Sequence, residues 1–177
     1  MRVIGGEFRS RRLKSIPGVD TRPTPDRLRE TLFDILQARV EGAVFIDGYA
    51  GTGAVGIEAL SRGARHVYFL ERHRAALDAI RENLASLAVE ARATVVPGPV
   101  MKTLARQRGD IVFLDPPYAL EAEYGAALEL LGSGDPPGLA VAQHSVRLAL
   151  ADQYGALHCT RTVKQGDNAL SFYEAIR

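Results

Sequence analysis

Short apolar runs and longer stretches of helical spacing take turns along most of this chain. Ala43-Val44-Phe45-Ile46, Ala93-Thr94-Val95-Val96, Ile111-Val112-Phe113-Leu114 and Leu139-Ala140-Val141-Ala142 are compact runs bounded by glycine, proline or charge. Runs of that length and content mark strands buried on both faces. His66-Val67-Tyr68-Phe69-Leu70 is a fifth. Between them, a glycine-rich turn over 48–53 leads into a helix over 54–62 that Gly63 closes. Residues 73–87 place Leu77, Ile80, Leu84 and Leu87 at helical spacing, and shorter helices are expected over 99–107 and 121–131. Before this series, Leu28, Leu32, Ile35 and Leu36 share one face of a helix over 25–40. Thr24 as N-cap, Pro25 at the first helical position and Asp26 in the first turn open it, Gly42 ends it, and Arg27 and Arg29 lie off its apolar face. After the series, strands over 157–164 and 169–176 flank the turn residues Gln165-Gly166-Asp167-Asn168, an antiparallel hairpin. The pattern therefore predicts an α/β fold with a doubly wound, mostly parallel, seven-stranded sheet closed by that hairpin. Residues 2–13 alternate loosely around Gly5-Gly6 as a short hairpin or extended arm, and 15–23 read as loop.

Composition adds limits rather than chemistry. The 177 residues are 46% hydrophobic and 24% charged, which suits one globular unit with a real core and at most a small appendage. No apolar run has the length of a membrane span and no secretory leader pattern opens the chain, so a cytoplasmic protein is expected, with no membrane partner. A single cysteine, Cys159, excludes a disulfide framework and reads as a small strand residue. His66, His73, His144 and His158 are dispersed, with no metal-ligand spacing, so no metal is expected. The net charge of +1 hides an asymmetry: residues 1–29 hold eight basic and three acidic side chains, leaving −4 for the remainder. A basic arm on a mildly acidic body fits either a polyanion partner or a solvated segment. The expected division is an arm over 1–24 and a main domain over 25–177.

Two motifs carry candidate chemistry. Gly51, Gly53 and Gly56 match G-x-G-x-x-G between a strand and a helix, and Glu71 ends the next strand 20 residues after Gly51. Glycines allow close backbone approach to a ligand, and an acidic residue at that distance reaches ribose hydroxyls. A dinucleotide would satisfy both features. Asp47, at the turn itself, would oppose a pyrophosphate and suits instead the ammonium and sulfonium of S-adenosylmethionine, or else merely caps the loop. The second motif, Asp115-Pro116-Pro117-Tyr118, follows a buried strand. An exocyclic amine delocalises its lone pair into its ring and must become tetrahedral to attack a methyl group. A carboxylate accepting one N–H and the carbonyl of Pro116 accepting the other would support that change, while Tyr118 offers a face for stacking. By itself the tetrapeptide fits an ordinary turn equally well; the glycine turn and Glu71 upstream favour a site.

The order of these motifs resembles class I S-adenosylmethionine-dependent amino-methyltransferases with a Rossmann-like fold. Three segments resemble the RsmD family more closely: Arg2-Val-Ile-Gly-Gly-Glu-Phe-Arg-Ser-Arg-Arg-Leu13, Arg22-Pro-Thr-Pro-Asp-Arg-Leu-Arg-Glu-Thr-Leu-Phe33 and Asp47-Gly-Tyr-Ala-Gly-Thr-Gly-Ala-Val-Gly-Ile-Glu-Ala-Leu-Ser-Arg-Gly63. Gln165-Gly-Asp-Asn-Ala-Leu-Ser-Phe-Tyr173 is similar to the family's closing hairpin. The resemblance implies methylation of guanine N2 in 16S ribosomal RNA, within a small-subunit particle and by a monomer. It implies Asp115, Pro116 and Tyr118 as catalytic residues. Asp47, Gly51 and Gly53 would line the methionine end of the cofactor, Glu71 would hold the ribose, and Arg22 and Thr24 would sit by cofactor or base. Arg9, Arg11, Arg12 and Lys14 would meet RNA phosphates. Pro99-Val100 stands where the family has an Asp- or Asn-like residue, so Val100 would meet the adenine through backbone or apolar packing. Tyr49 and Gln143 are further departures, from Phe or Leu and from Glu. The alternatives are a DNA adenine-N6 methyltransferase, a dinucleotide-binding oxidoreductase and a non-catalytic RNA-binding domain. A cytosine-C5 enzyme would need a cysteine nucleophile near the motifs, and Cys159 lies far from them.

Overall fold

The computed structural model describes residues 1–16 and 24–176, so Arg22 lies outside the described residues. The elements follow the expected alternation. Helix α1 (Asp26–Leu36) precedes β1 (Val44–Gly48), α2 (Ala54–Ser61), β2 (His66–Glu71), α3 (Arg74–Ser86), β3 (Ala93–Pro97), α4 (Val100–Leu104), β4 (Ile111–Leu114), α5 (Ala122–Ser133) and β5 (Leu139–Ser145). Strands β6 (Gln153–Tyr154), β7 (Leu157–Gln165) and β8 (Asn168–Ala175) complete the chain. The strand order is β3-β2-β1-β4-β5-β8-β7-β6. The first five strands pair in parallel and the last three are antiparallel. The expected seven strands are present, and the two-residue β6 adds an eighth at the edge. Gln153-Tyr154 was too short to leave a periodic signal.

Each strand of the parallel half feeds two cores. Phe45, Val67, Phe69, Ile111 and Phe113 face the side covered by α1, α2 and α3, with Leu32, Phe33, Ile57, Leu60 and Ile80. Ile46, Leu70, Val112 and Leu114 face the other side, with Leu104 and Leu128 from α4 and α5. Burial on both faces explains the unbroken apolar runs, and each fully buried Leu, Ile or Phe contributes about 1.5–3 kcal/mol. Connections leave β1 toward β2 on one side, while β4 lies on its other side. The loops after β1 and β4 therefore part at the carboxyl ends, the crevice where ligands of such sheets bind.

The N-terminal arm is a hairpin fastened to this frame. Arg2 and Arg12 form an antiparallel bridge, and the Val3 N–H donates to Arg11 O at 2.9 Å. Val3 and Leu13 are buried in the larger core. Glu58 of α2, fully buried, accepts the N–H groups of Ile4 and Gly5 at 2.9 Å each and Arg62 Nε at 2.9 Å. Ser61 Oγ accepts the Phe8 N–H at 2.9 Å and donates to Gly5 O at 2.6 Å.

Two local expectations are corrected. Arg29 is not free to point outward; it is fully buried, donating through Nη2 to Arg2 O at 2.6 Å and to Asp26 at 3.1 Å, with Nε 4.0 Å from Glu58. The arm covers that flank of α1, and Glu58 and Asp26 supply the opposing charge. Burial lowers the Arg29 pKa from its ordinary value, against the pull of Glu58 and Asp26. Thr24 is not the N-cap of α1: Pro25 occupies that position with an extended ψ of 141°, and α1 starts at Asp26. Thr24 instead donates its hydroxyl across to β5, to Gln143 Oε1 at 3.2 Å.

Candidate active site at the carboxyl ends of the strands

The turn after β1 is built to stay open to a ligand at one point and closed elsewhere. Gly51 has φ +58°, and nothing lies within 4 Å of the position a Cβ would take. Gly56, one turn into α2, is needed for the opposite reason: a Cβ there would fall 2.4 Å from Phe69 Cε1. That contact lets α2 lie close on β2. Gly53 caps α2 in the left-handed region at φ +83°.

Three carboxyl groups converge at neighbouring strand ends. Asp47 of β1 is 1% exposed, and its Oδ2 accepts the Gly56 N–H at 2.9 Å. Burial pushes the Asp47 carboxyl well above the usual range, the Gly56 bond opposes that, and Asp115 and Glu71 push it further up. Glu71 closes β2: Oε2 accepts the Gly51 N–H at 2.8 Å, and Oε1 accepts Arg72 N–H at 2.8 Å and His73 N–H at 3.0 Å. Three of the carboxylate's roughly four acceptor sites are thus taken, leaving capacity for about one more donor. Asp115 follows β4 and is partly exposed; desolvation pushes it up to about 7. Pro116 is buried, Pro117 is exposed, and Tyr118 stands 67% exposed on the short 3-10 turn Tyr118–Leu120.

The β5 end supplies a polar wall that was noted in sequence only as a departure. Leu114 pairs with Ala142, which sets Gln143 beside Asp115. Gln143 is buried, is bonded to Thr24 through its side chain, and accepts the Tyr124 hydroxyl through its carbonyl. Burial raises the Tyr124 pKa, with Asp115 adding to it. His144 is satisfied within the fold, Nδ1 donating to Ser145 O at 2.8 Å and Nε2 accepting from Ser171 Oγ at 2.7 Å, and burial lowers its pKa. Tyr49, at φ +60°, donates its hydroxyl to Glu123 of α5 and so ties the glycine turn to the helix that follows the Asp115 segment.

Thr24, Asp47, Gly51, Gly53, Glu71, Asp115, Pro116 and Tyr118 are thus placed at one end of the sheet. Val100 opens α4 with its side chain in the smaller core, so only its backbone is free to face a ligand. Arg9 and Arg12 are exposed on the hairpin and form no ion pair among the described residues. Arg11 donates to Ser86 O at 2.9 Å, and Lys14 pairs with Glu82. Among the described residues no cluster of His, Cys, Asp and Glu could hold a metal. A groove of about 630 Å³ lies at the opposite, amino end of the sheet, lined by Arg108, Asp110 and Asp135 among others, away from all these groups.

The family described as conserved hypothetical protein 95 matches residues 1–174, from the arm through the closing hairpin. The ribosomal RNA small subunit methyltransferase D of Escherichia coli K12 is 43% identical over 121 residues, 67% of this chain and 60% of that protein. The chain belongs to the RsmD family of methyltransferases. YlbH of Bacillus subtilis, whose designation as an rRNA methyltransferase is provisional, is 34% identical over 98% of both chains. Among solved structures, an Escherichia coli chain provisionally described as methyltransferase yhhF superposes with TM-score 0.86 at 31% identity, over 100% of this chain and 98% of that one. A hypothetical protein of Thermus thermophilus gives 0.82 at 32% identity over 99% of both. The RsmD match takes in both the hairpin that α2 and α3 hold and the three strand ends where the carboxyl groups meet, so neither is an addition peculiar to this chain.

Proposed function

We propose that this chain transfers a methyl group from S-adenosylmethionine to the exocyclic N2 amine of a guanine in 16S ribosomal RNA. The observation that carries this reading is the seat of Asp115 to Tyr118 at the end of β4, one strand from the glycine turn, in a member of the RsmD family. The names of the relatives, ribosomal RNA small subunit methyltransferases, support the substrate.

The residues fit the cofactor on the structure's own terms. The open Cβ direction of Gly51, the spare acceptor capacity of Glu71 and the buried Asp47 suit a ligand with ribose hydroxyls and a positive centre. A cation beside Asp47 favours its ionised form and offsets the desolvation that raises its pKa. S-adenosylmethionine supplies an electrophilic methyl on a sulfonium when bound. Glu71 serves the ribose, Asp47, Gly51 and Gly53 the methionine end, and the backbone at Val100 the adenine. Thr24 borders cofactor and base.

Asp115 accepts one N–H of the target amine, and the Pro116 carbonyl accepts the other, which orients the lone pair toward the methyl. When the nitrogen becomes positive on methylation, Asp115 takes a proton from it. A carboxyl near 7 is a better acceptor at neutral pH than an ordinary one. Tyr118 stacks on the extruded base, worth about 1–3 kcal/mol. Arg9 and Arg12, with Arg11 and Lys14, meet phosphates, so residues 1–24 form the RNA-contacting extension of the methyltransferase unit at 25–177. The enzyme acts as a monomer in the cytoplasm on a small-subunit particle, whose shape supplies the specificity that so small a chain lacks. The test is tritiated methyl transfer to small-subunit particles from cells lacking the protein, with protein-free 16S RNA alongside, followed by nucleoside analysis. N2-methylguanosine is expected; labelled adenosine would replace the substrate, and no label would remove the activity.

A further inference from the structure

Asn83 lies on α3 one turn beyond Ile80, on the helix's apolar face, and is 2% exposed. Its amide grips two segments at once. Oδ1 accepts the Lys14 N–H at 2.6 Å, while Nδ2 donates to Lys14 O at 3.2 Å and to Thr52 O at 3.2 Å. Lys14 closes the arm, and Thr52 lies between Gly51 and Gly53 in the glycine turn. A purely structural asparagine could be satisfied within either segment; here both donors are in use, one toward each. The neighbourhood repeats the pattern. Arg11 and Lys14 bind Ser86 and Glu82 on the same helix, Met1 Sδ is 3.9 Å from Thr52 Oγ1, and Ile80 underlies Gly53.

We propose that Asn83 is a positioning residue that couples the RNA-binding arm to the cofactor-binding turn, so that RNA on the arm strengthens cofactor binding and the reverse. The proposal rests on the RNA methyltransferase reading above. Its physical basis is that one planar amide cannot follow a shift of Thr52 without straining both bonds to Lys14. Ordering either segment by a ligand therefore lowers the entropy lost when the other is ordered. By linkage the effect is reciprocal.

The test measures S-adenosylhomocysteine affinity by equilibrium dialysis, with and without saturating small-subunit particles, carrying 16S RNA, from cells lacking the protein. Wild type is compared with Asn83→Ala and Asn83→Asp. Coupling of about 5-fold or more is expected in wild type, within the usual range for linked sites. It should fall below about 2-fold in Asn83→Ala. Asn83→Asp keeps the acceptor for Lys14 and loses both donations, so it should fall equally far, and it carries the test alone if the alanine variant does not fold. No coupling in wild type, or full coupling in either folded variant, overturns the proposal. RNA that is bound and methylated without any change in cofactor affinity sinks this inference alone, whereas RNA that is neither bound nor methylated sinks the function on which it rests.

Discussion

Removing the Glu58 carboxylate tests whether the arm is a seated part of the fold. Glu58 is fully buried and accepts from Ile4, Gly5 and Arg62, each at 2.9 Å. It also faces Arg29, whose Nε and Nη1 have no hydrogen-bond partner among the described residues. The compensation for Arg29 on that side is therefore Coulombic. Glu58→Ala leaves a buried guanidinium with only Asp26 and Arg2 O, and strands two backbone N–H groups. Breaking a buried pair in this way costs about 3–5 kcal/mol. For a chain of this size each kcal/mol is roughly 2–4 °C, so Tm should fall by roughly 6–20 °C. Urea unfolding should show the same loss. In a cycle with Arg29→Met, the double variant should be better than the sum of the singles by about 1 kcal/mol or more, because the orphaned charge is gone. A loss below about 1 kcal/mol for Glu58→Ala, or strictly additive losses, would refute the argument.

Four further outcomes are expected. Asp115 has a folded pKa of about 7 against an ordinary value near 4, so its contribution to stability is present below about pH 4 and is lost as pH rises through about 7; Asp115→Asn should flatten the decline of Tm over that window, and an unchanged slope would contradict the desolvation. Methyl transfer should run the other way, rising through about pH 7 as Asp115 ionises in the free enzyme. Glu71→Ala should weaken S-adenosylmethionine binding by roughly 10- to 100-fold in calorimetry, as expected for loss of a charged hydrogen-bond acceptor, with part of the effect coming from the released Gly51 N–H. Replacing Arg9 and Arg12 by alanine should lower the log–log salt slope of RNA binding by about 1.4–1.8, whereas Arg11→Ala, already committed to Ser86, should change it less.

The parallel half of the sheet was legible because burial on both faces writes unbroken apolar runs, and the turn over 48–53 because Gly51 and Gly53 take positive φ between a strand and a helix. Asp47, Glu71 and Asp115 were legible as strand-end carboxyls, and the structure brings all three together. What escaped was polar chemistry on apolar faces. Arg29 follows Leu28 and reads as a flank residue until the arm folds over it; Glu58 and Asn83 belong to neither motif. Each is buried because a backbone segment distant in sequence arrives to use its hydrogen bonds, and no local periodicity records that arrival. Asn83, at i+3 from Ile80, did leave a signal: a polar residue on the apolar face of a helix. Thr24 had a plausible local role as a cap, and a partner 119 residues away took its hydroxyl instead.

The role of Asp115 is tested most directly by single-turnover methyl transfer to 16S RNA in small-subunit particles from cells lacking the protein, at saturating cofactor and particle. Asp115→Ala should slow the step by about 100-fold or more, within the range removed with one transition-state hydrogen-bonding group, while cofactor affinity stays within about 3-fold of wild type. An unchanged single-turnover rate would contradict the assignment of Asp115 to the reacting amine.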